Sequence, residues 1–514
     1  MSIANTTSIR EYTGRVLSPW SPIVASNRAP FEPGPRGTMR RGAGGLVTAM
    51  LTVADATASP WVAIARSPAE RERAAAGRSV EVPGVRGPIQ LHYVAVEPEA
   101  YRRHYSVIAN PLIWFLQHYL WDLTHEPVID EAIWAAWETG YVVVNRLLAE
   151  KVVEVARQTE RRPLVMTQDY QLYLAPRRVR QLLPEATLQH FIHIPWPTPN
   201  YWKVLPRGIR DAILEGVLAN DIVGFQTSVD VRNFLMSAEE LLGLRVDHRE
   251  RAVLYAGRVV WARSYPVSID VPMMERMSAS LAVEKEVEEL RQGRPEKLIV
   301  RVDRTDPTKN IVRGFLAYEQ MLRQHPELHR KVGFWAFLQP SRQDIVAYRD
   351  YVESIQRTAA RINSRFGQRG WTPVRVEFAE NLRRAVAAYR EFDVMLVNSI
   401  YDGMNLVAKE GMIVNERDGV LVLSENVGAH EELGEWSVTI NPFDVGQTAD
   451  ALHTALTMPL RQRQAMGDSV RQVVRANDIG RWISLQIRDL RDLLATPTAT
   501  TDSGIAGSGG GDDC

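Results

Sequence analysis

The sequence predicts an α/β protein built from two doubly wound parallel-sheet domains that face each other across a cleft. Three observations predict it. The chain has 514 residues, too many for one ordinary core and enough for two of about 200 to 250 residues each. Its composition, 45% hydrophobic and 24% charged, is that of a globular chain. Short apolar runs also alternate with amphipathic helical patterns, as in a parallel sheet covered on both faces.

Taken in order, residues 1–20 show no clear period and read as a loosely held N-terminal arm. Residues 21–26 (SPIVAS) read as a strand, followed by a proline- and glycine-rich loop over 27–45. An amphipathic helix is expected over 143–158, with short buried strands over 164–167 and 191–194. The second half is more regular. Strands are expected over 298–302, 333–338, 374–378, 394–397 and 420–423. The intervening helices fall over 311–324, 343–363, 382–392 and 406–414. The first domain therefore spans 21–270, the second 271–480, and a C-terminal helix 481–496. Residues 497–514, rich in Thr, Ser, Gly and Asp, carry too little apolar surface to offset the entropy of ordering and are expected to be disordered.

Composition also excludes function classes. The 61 basic residues balance 61 acidic ones, which argues against a nucleic-acid partner. The single cysteine, Cys514, allows neither an internal disulfide nor a cysteine metal site. The apolar stretch over 112–120 is interrupted by Gln117 and His118 and falls short of the roughly 20 residues of a membrane span. No basic segment followed by an apolar core opens the chain, so a cytoplasmic protein with no membrane partner is expected.

Two segments carry chemistry. Residues 302–310, VDRTDPTKN, join a strand to a helix, and Arg304 and Lys309 are the cations of that turn. Helix N-termini present free N–H groups, so dipole and charge can hold an anion together. Bidentate Arg and point-charge Lys suit a diphosphate and the charge that develops when it leaves. Residues 402–410, DGMNLVAKE, follow the strand expected over 394–397. Gly403 permits a tight turn, Asn405 can cap the helix, Asp402 can accept hydrogen bonds from sugar hydroxyls, and Glu410 can chelate a ribose diol. By spacing alone, the first segment equally suits a solvated loop and the second a plain capped helix with Glu410 on its wet face.

These two motifs, with GVLVLSENVGAHEEL at 419–433 and HIPWPTP at 193–199, resemble the trehalose-6-phosphate synthase family of retaining glycosyltransferases. The likeness runs from about residue 21 to about 490. It implies a GT-B fold, an enzyme without cofactor or metal, and small-molecule partners: a nucleoside diphosphate glucose (UDP- or GDP-glucose) as donor and glucose-6-phosphate as acceptor. On the donor side it implies that Arg304 and Lys309 grip the diphosphate and that Gly44 and Gly45 close over the donor. Asp402, Gly403, Met404, Asn405 and Leu406 hold the transferred glucose, Glu410 the ribose, and His193 lies beside the donor sugar. On the acceptor side it implies Arg28 and Arg342 for the phosphate, Tyr105 and Trp114 as an aromatic lining, and Asp169 near the acceptor hydroxyls. His193, Asp169, Arg304 and Lys309 form the implied catalytic set.

By their residue types alone, His193 also suits a structural histidine, and Tyr105 and Trp114 ordinary core aromatics. The resemblance further implies front-face displacement with retention, and relatives that form dimers or tetramers leave a homo-oligomer open. Three positions depart from the pattern. Gln168 stands where many relatives have His, and Tyr401 where the best-known bacterial ones have Arg. Ile64 stands where those have an acceptor-side Trp, with Trp61 three residues earlier. The chain is also similar to an actinobacterial branch that includes validoxylamine 7'-phosphate synthase. That keeps a cyclitol-coupling reading open, beside a glucosylglycerol-phosphate synthase and a non-catalytic sugar-phosphate sensor.

Overall fold

Two parallel sheets organise the chain in a computed structural model that describes residues 6–33, 39–41, 45–84 and 87–495. The first has ten strands in the order Arg245–Asp247, Ala252–Tyr255, Arg258–Ser264, Ile222–Phe225, Thr187–Phe191, Arg162–Gln168, Trp20–Ser26, Trp61–Ile64, Ile89–Val94, Val80–Val82. Its centre is parallel, and antiparallel pairings finish both edges. The second has six parallel strands in the order Val374–Phe378, Val332–Gln339, Lys297–Arg304, Val394–Val397, Val420–Ser424, Val438–Ile440. Central strands Val394–Val397 and Val420–Ser424 are buried on both faces, which is why they read as apolar runs rather than alternating ones; Thr187–Phe191 is as fully buried but carries Gln189 and His190.

Local chemistry accounts for the helix boundaries. Helices Ile311–Gln324 and Leu406–Val414 occupy the expected residues. Helix Leu382–Glu391 starts where the Asn381 side chain accepts from the Arg384 N–H, and helix Val445–Thr457 where Asp444 accepts from Gln447. Three expectations are corrected. The arm expected to be loosely held contains helix Thr6–Val16, which packs against helices Gly45–Thr57 and Ile479–Ala495, with Tyr12, Val16 and its neighbour Leu17 against the core. The strand expected over 191–194 is Thr187–Phe191, and residues 192–194 lead off its carboxyl end. The loop expected over 27–45 includes a two-stranded antiparallel ladder, Phe31–Pro33 with Met39–Arg41. Gly44 and the tail 497–514 lie outside the described residues.

The last helix, Ile479–Ala495, returns to the first sheet. Trp482 packs edge-on against Phe191, with centroids 5.3 Å apart. Gln189 donates to Gln486 at 3.0 Å, and Tyr265 donates to the Asp489 carboxylate at 2.8 Å. Burying a large aromatic of this kind typically contributes about 3–5 kcal/mol relative to Ala, so this helix is firmly anchored on the first sheet. Among the described residues, no helix is long and apolar enough to cross a membrane.

Candidate active site at the carboxyl ends of the two sheets

Strand Lys297–Arg304 delivers its motif into a rigid turn. Buried Arg301 grips the Asp303 carboxylate at 3.0 and 2.8 Å and the Lys309 carbonyl at 2.7 Å. Asp306 accepts from the Thr308 N–H at 3.1 Å, closing the single turn Pro307–Lys309. Asn310 sits in the left-handed region (φ 56°), and its amide donates to the carbonyls of Asn398 and Pro442 at 3.0 and 2.7 Å. The N–H of Ile311 donates to the Tyr351 hydroxyl at 2.6 Å. The first of the backbone donors expected to be free at this helix start is therefore already spent.

Lys309 reaches across to Asp402 and forms an ion pair with it. Burial works to raise the Asp402 carboxyl, but the charge and hydrogen bond of Lys309, with His118 and Arg304, together outweigh it and hold the group below the usual carboxylate range. Asn405, also left-handed (φ 67°), does not cap helix Leu406–Val414; its amide donates to Asp402 at 3.1 Å. The expected cap is thus a positioning group for Asp402. Among the described residues no side chain caps this helix, whose positive end stays available to an anion. Met404 is buried and Leu406 half-buried, while Glu410 accepts from Tyr389 at 3.2 Å and is raised above its ordinary pKa by burial.

The first sheet supplies the facing wall. Asp169 follows strand Arg162–Gln168 with φ 73°, and its N–H donates to the Phe191 carbonyl at 2.8 Å. Its carboxylate accepts from the His193 N–H at 3.3 Å. The His193 ring is pinned at both nitrogens. Gln226 Oε1 accepts from the Val267 N–H, so its amide nitrogen donates to His193 Nδ1 at 3.4 Å; His193 Nε2–H then donates to Gln168 Oε1 at 3.1 Å. Burial pushes His193 down to about 3, so the ring is neutral, fixed in one tautomer, and poised to orient rather than to take a proton. Gly403 meets this wall: a Cβ there would lie 1.9 Å from the His193 carbonyl oxygen.

A second cationic cluster adjoins the first. Arg342, left-handed at φ 48°, bonds Asp306 at 3.2 Å, the Tyr170 hydroxyl at 3.1 Å and Tyr348. It lies 4.1 Å over the Trp114 ring, and Arg304 lies 5.5 Å over the same ring. Trp114 and Tyr105 come from a π-helical stretch, Arg103–Trp114, whose buried Asn110 accepts from Tyr170 at 2.6 Å. Such stretches are rare and recur at functional sites. Burial works to raise the Tyr105 phenol, yet Arg342, Arg66 and Arg28 together hold it below its ordinary value. Arg28 is exposed, and it, Arg66 and Arg342 converge on Tyr105 from distant parts of the chain.

The structure therefore joins Lys309 to Asp402, Asp169 to His193, and Arg304 to Arg342 through Trp114. Gly45 opens helix Gly45–Thr57. Arg66, Tyr170 and His118, which stacks on Trp114 at 4.0 Å, escaped the sequence reading because nothing local marks them; Asp306 stands inside the 302–310 motif, but its pairing with Arg342 is set only by the fold. Trp61 does not replace the missing acceptor-side Trp. It is fully buried with Nε1 on Ser26 at 2.8 Å, and Ile64 is fully buried as well. Tyr401 stacks obliquely on Tyr119, centroids 4.5 Å apart.

Glycosyltransferase family 20 matches residues 21–492. A bifunctional trehalose-6-phosphate synthase/phosphatase of Thermoproteus tenax is 34% identical over 475 residues, 90% of this chain; the alignment spans 62% of that longer relative. A validamine 7-phosphate valienyltransferase of Streptomyces hygroscopicus subsp. jinggangensis is 30% identical over 446 residues, 86% of this chain and 87% of that protein. Among solved structures, the UDP-forming α,α-trehalose-phosphate synthase of Burkholderia xenovorans in complex with glucose-6-phosphate superposes with a TM-score of 0.79 at 28% identity. That match covers 91% of this chain and 99% of the other.

Proposed function

Because the chain belongs to glycosyltransferase family 20, we propose that it transfers glucose, with retention, from a nucleoside diphosphate glucose to glucose-6-phosphate, forming α,α-trehalose-6-phosphate. One observation carries this reading: Arg304 and Arg342 lie over one indole ring, Trp114. Two anionic groups, a donor diphosphate and an acceptor phosphate, thus find cations side by side.

The chemistry follows from that adjacency. Arg304 and Lys309 hold the diphosphate and stabilise the charge that builds on it as the bond from the anomeric carbon to its oxygen breaks. The acceptor hydroxyl approaches from the same face, its oxygen bonds to that carbon, and its proton passes to the departing phosphate oxygen. Asp402, fixed by Lys309 and Asn405, holds glucose hydroxyls, and neutral His193 orients the sugar. Glu410 binds the ribose, and Arg28, Arg66 and Arg342 hold the acceptor phosphate beside Tyr105. The two cations of the turn supply the charge for which other transferases recruit a metal.

Asp169 gives this reading a pH signature. Burial raises its carboxyl to about 6, against the backbone N–H groups of Tyr170 and His193 and the charges of Arg342 and Arg304. Above about pH 6 it is a carboxylate able to accept from an acceptor hydroxyl; below, it is neutral. The KM for glucose-6-phosphate should therefore rise as pH falls through about 6. In Asp169→Asn only the titration of the substrate phosphate should remain, and an unaltered profile in that variant would remove Asp169 from the acceptor site.

The test of the whole reading is a matrix of UDP-, GDP- and ADP-glucose against glucose-6-phosphate and glycerol-3-phosphate, followed by nucleoside diphosphate release and product mass. A disaccharide phosphate from glucose-6-phosphate is expected. Silence in every pair, with nucleoside diphosphate still bound, would replace it by cyclitol coupling or sugar-phosphate sensing.

A further inference from the structure

Among the described residues, one group of three metal-capable side chains converges: His325, Glu327 and His453, with a ligand atom of each within 4.8 Å of the others. His325 ends helix Ile311–Gln324, Glu327 lies in the turn Pro326–Leu328, and His453 belongs to helix Val445–Thr457, which packs along the first helix. The two imidazoles lie face to face, with centroids 3.6 Å apart and planes 6° off parallel. His325 Nδ1 is 3.1 Å from Glu327 Oε1. A neutral imidazole carries a nitrogen lone pair able to ligate a metal ion.

We propose that His325, Glu327 and His453 bind one divalent transition-metal ion of the zinc class, stapling the end of helix Ile311–Gln324 to helix Val445–Thr457. Two imidazole nitrogens and a carboxylate oxygen form a donor set suited to zinc, with water as fourth ligand. A hard ion such as Mg²⁺ prefers oxygen donors alone. Zinc–ligand bonds of about 2.0–2.2 Å place tetrahedral ligand atoms roughly 3.3–3.5 Å apart, against separations within 4.8 Å here, and binding would turn the stacked rings so that a nitrogen of each faces the ion. The first helix has 14 residues and is about 21 Å long. The ion thus sits a helix length from Lys309, and its effect falls on stability rather than on transfer. His325 and His453 are too far apart in sequence for any spacing rule to pair them. The expectation of metal-free catalysis is untouched by an ion at this distance.

The test uses the full chain without an affinity tag, in a Cys514→Ser background so that the terminal thiol cannot bind the ion. Zn²⁺ is titrated calorimetrically into metal-free protein, and thermal unfolding is followed alongside. One ion per chain with micromolar or tighter affinity and a raised Tm are expected, with no response to Mg²⁺. His325→Gln and His453→Gln, at half-buried positions that keep side-chain volume, should each weaken binding at least tenfold and abolish the Tm gain, with kcat unchanged. Absence of saturable Zn²⁺ binding, or unchanged affinity in either variant, overturns the proposal.

Discussion

Arg304→Ala is expected to lower turnover by about 10²- to 10³-fold while leaving the thermal unfolding midpoint where it is. The asymmetry comes from how the side chain is held. It is 42% exposed, its ion pair with Asp306 is long at 4.0 Å, and its other neighbour is the face of Trp114 at 5.5 Å. Contacts of that kind contribute within about 0.5 kcal/mol to folding. A positioned donor to charge that develops in the transition state is worth about 3–4 kcal/mol. Lys309 is a poorer probe, because its removal would leave the Asp402 carboxylate without the charge that offsets its burial and so mix stability with catalysis. Steady-state kinetics with saturating donor, beside a melting curve, separates the two effects. Turnover within twofold of wild type would remove Arg304 from the donor site.

The same contrast between local and distant determinants explains what was legible in the sequence. Helices Ile311–Gln324 and Leu406–Val414 were readable because each follows a buried apolar strand and carries its own period. Strand Val438–Ile440 was not: it has three residues, and its place is set by pairing with Val420–Ser424. Helix Thr6–Val16 was missed because its apolar residues acquire partners only in the folded chain, from helix Gly45–Thr57 and from helix Ile479–Ala495 at the far end of the sequence. At the site, motif-bearing residues such as Lys309 and Asp402 could be named in advance, but their ion pair could not. Arg66 and Tyr170 belong to no motif, and only the fold brings them to Tyr105 and Arg342. Asn405 is the instructive miss. Asn before a helix normally caps it, yet here left-handed backbone turns its amide onto Asp402, so a local rule yields to the needs of the site.

Gly403→Ala should be as damaging to turnover as loss of Arg304, and for a steric reason. The added Cβ would stand 1.9 Å from the His193 carbonyl oxygen and 2.8 Å from its carbon. Both are backbone atoms, which cannot rotate aside as a flexible side chain would. The opposite side of the loop is closed as well. Gly428 is packed so that a Cβ on it would meet the Gly403 carbonyl at 1.9 Å, and the Gly428 N–H donates to the Asp402 carbonyl at 3.0 Å. Relief can come only by parting the loop around Asp402 from the His193 wall by more than an ångström. Displacements of about 1 Å at a reacting centre can cost on the order of 10²-fold in rate, and overpacking of this kind typically costs about 1–3 kcal/mol of stability. Reduced kcat together with a lowered Tm is therefore expected. Gly293→Ala is the control: it ends helix Leu281–Gly293, and the nearest atom to its Cβ is the tip of Arg375 at 3.9 Å. If Gly403→Ala turned over as fast as that control, the two sheets could not meet at His193 in the working enzyme, and His193 would lose its place beside the donor sugar.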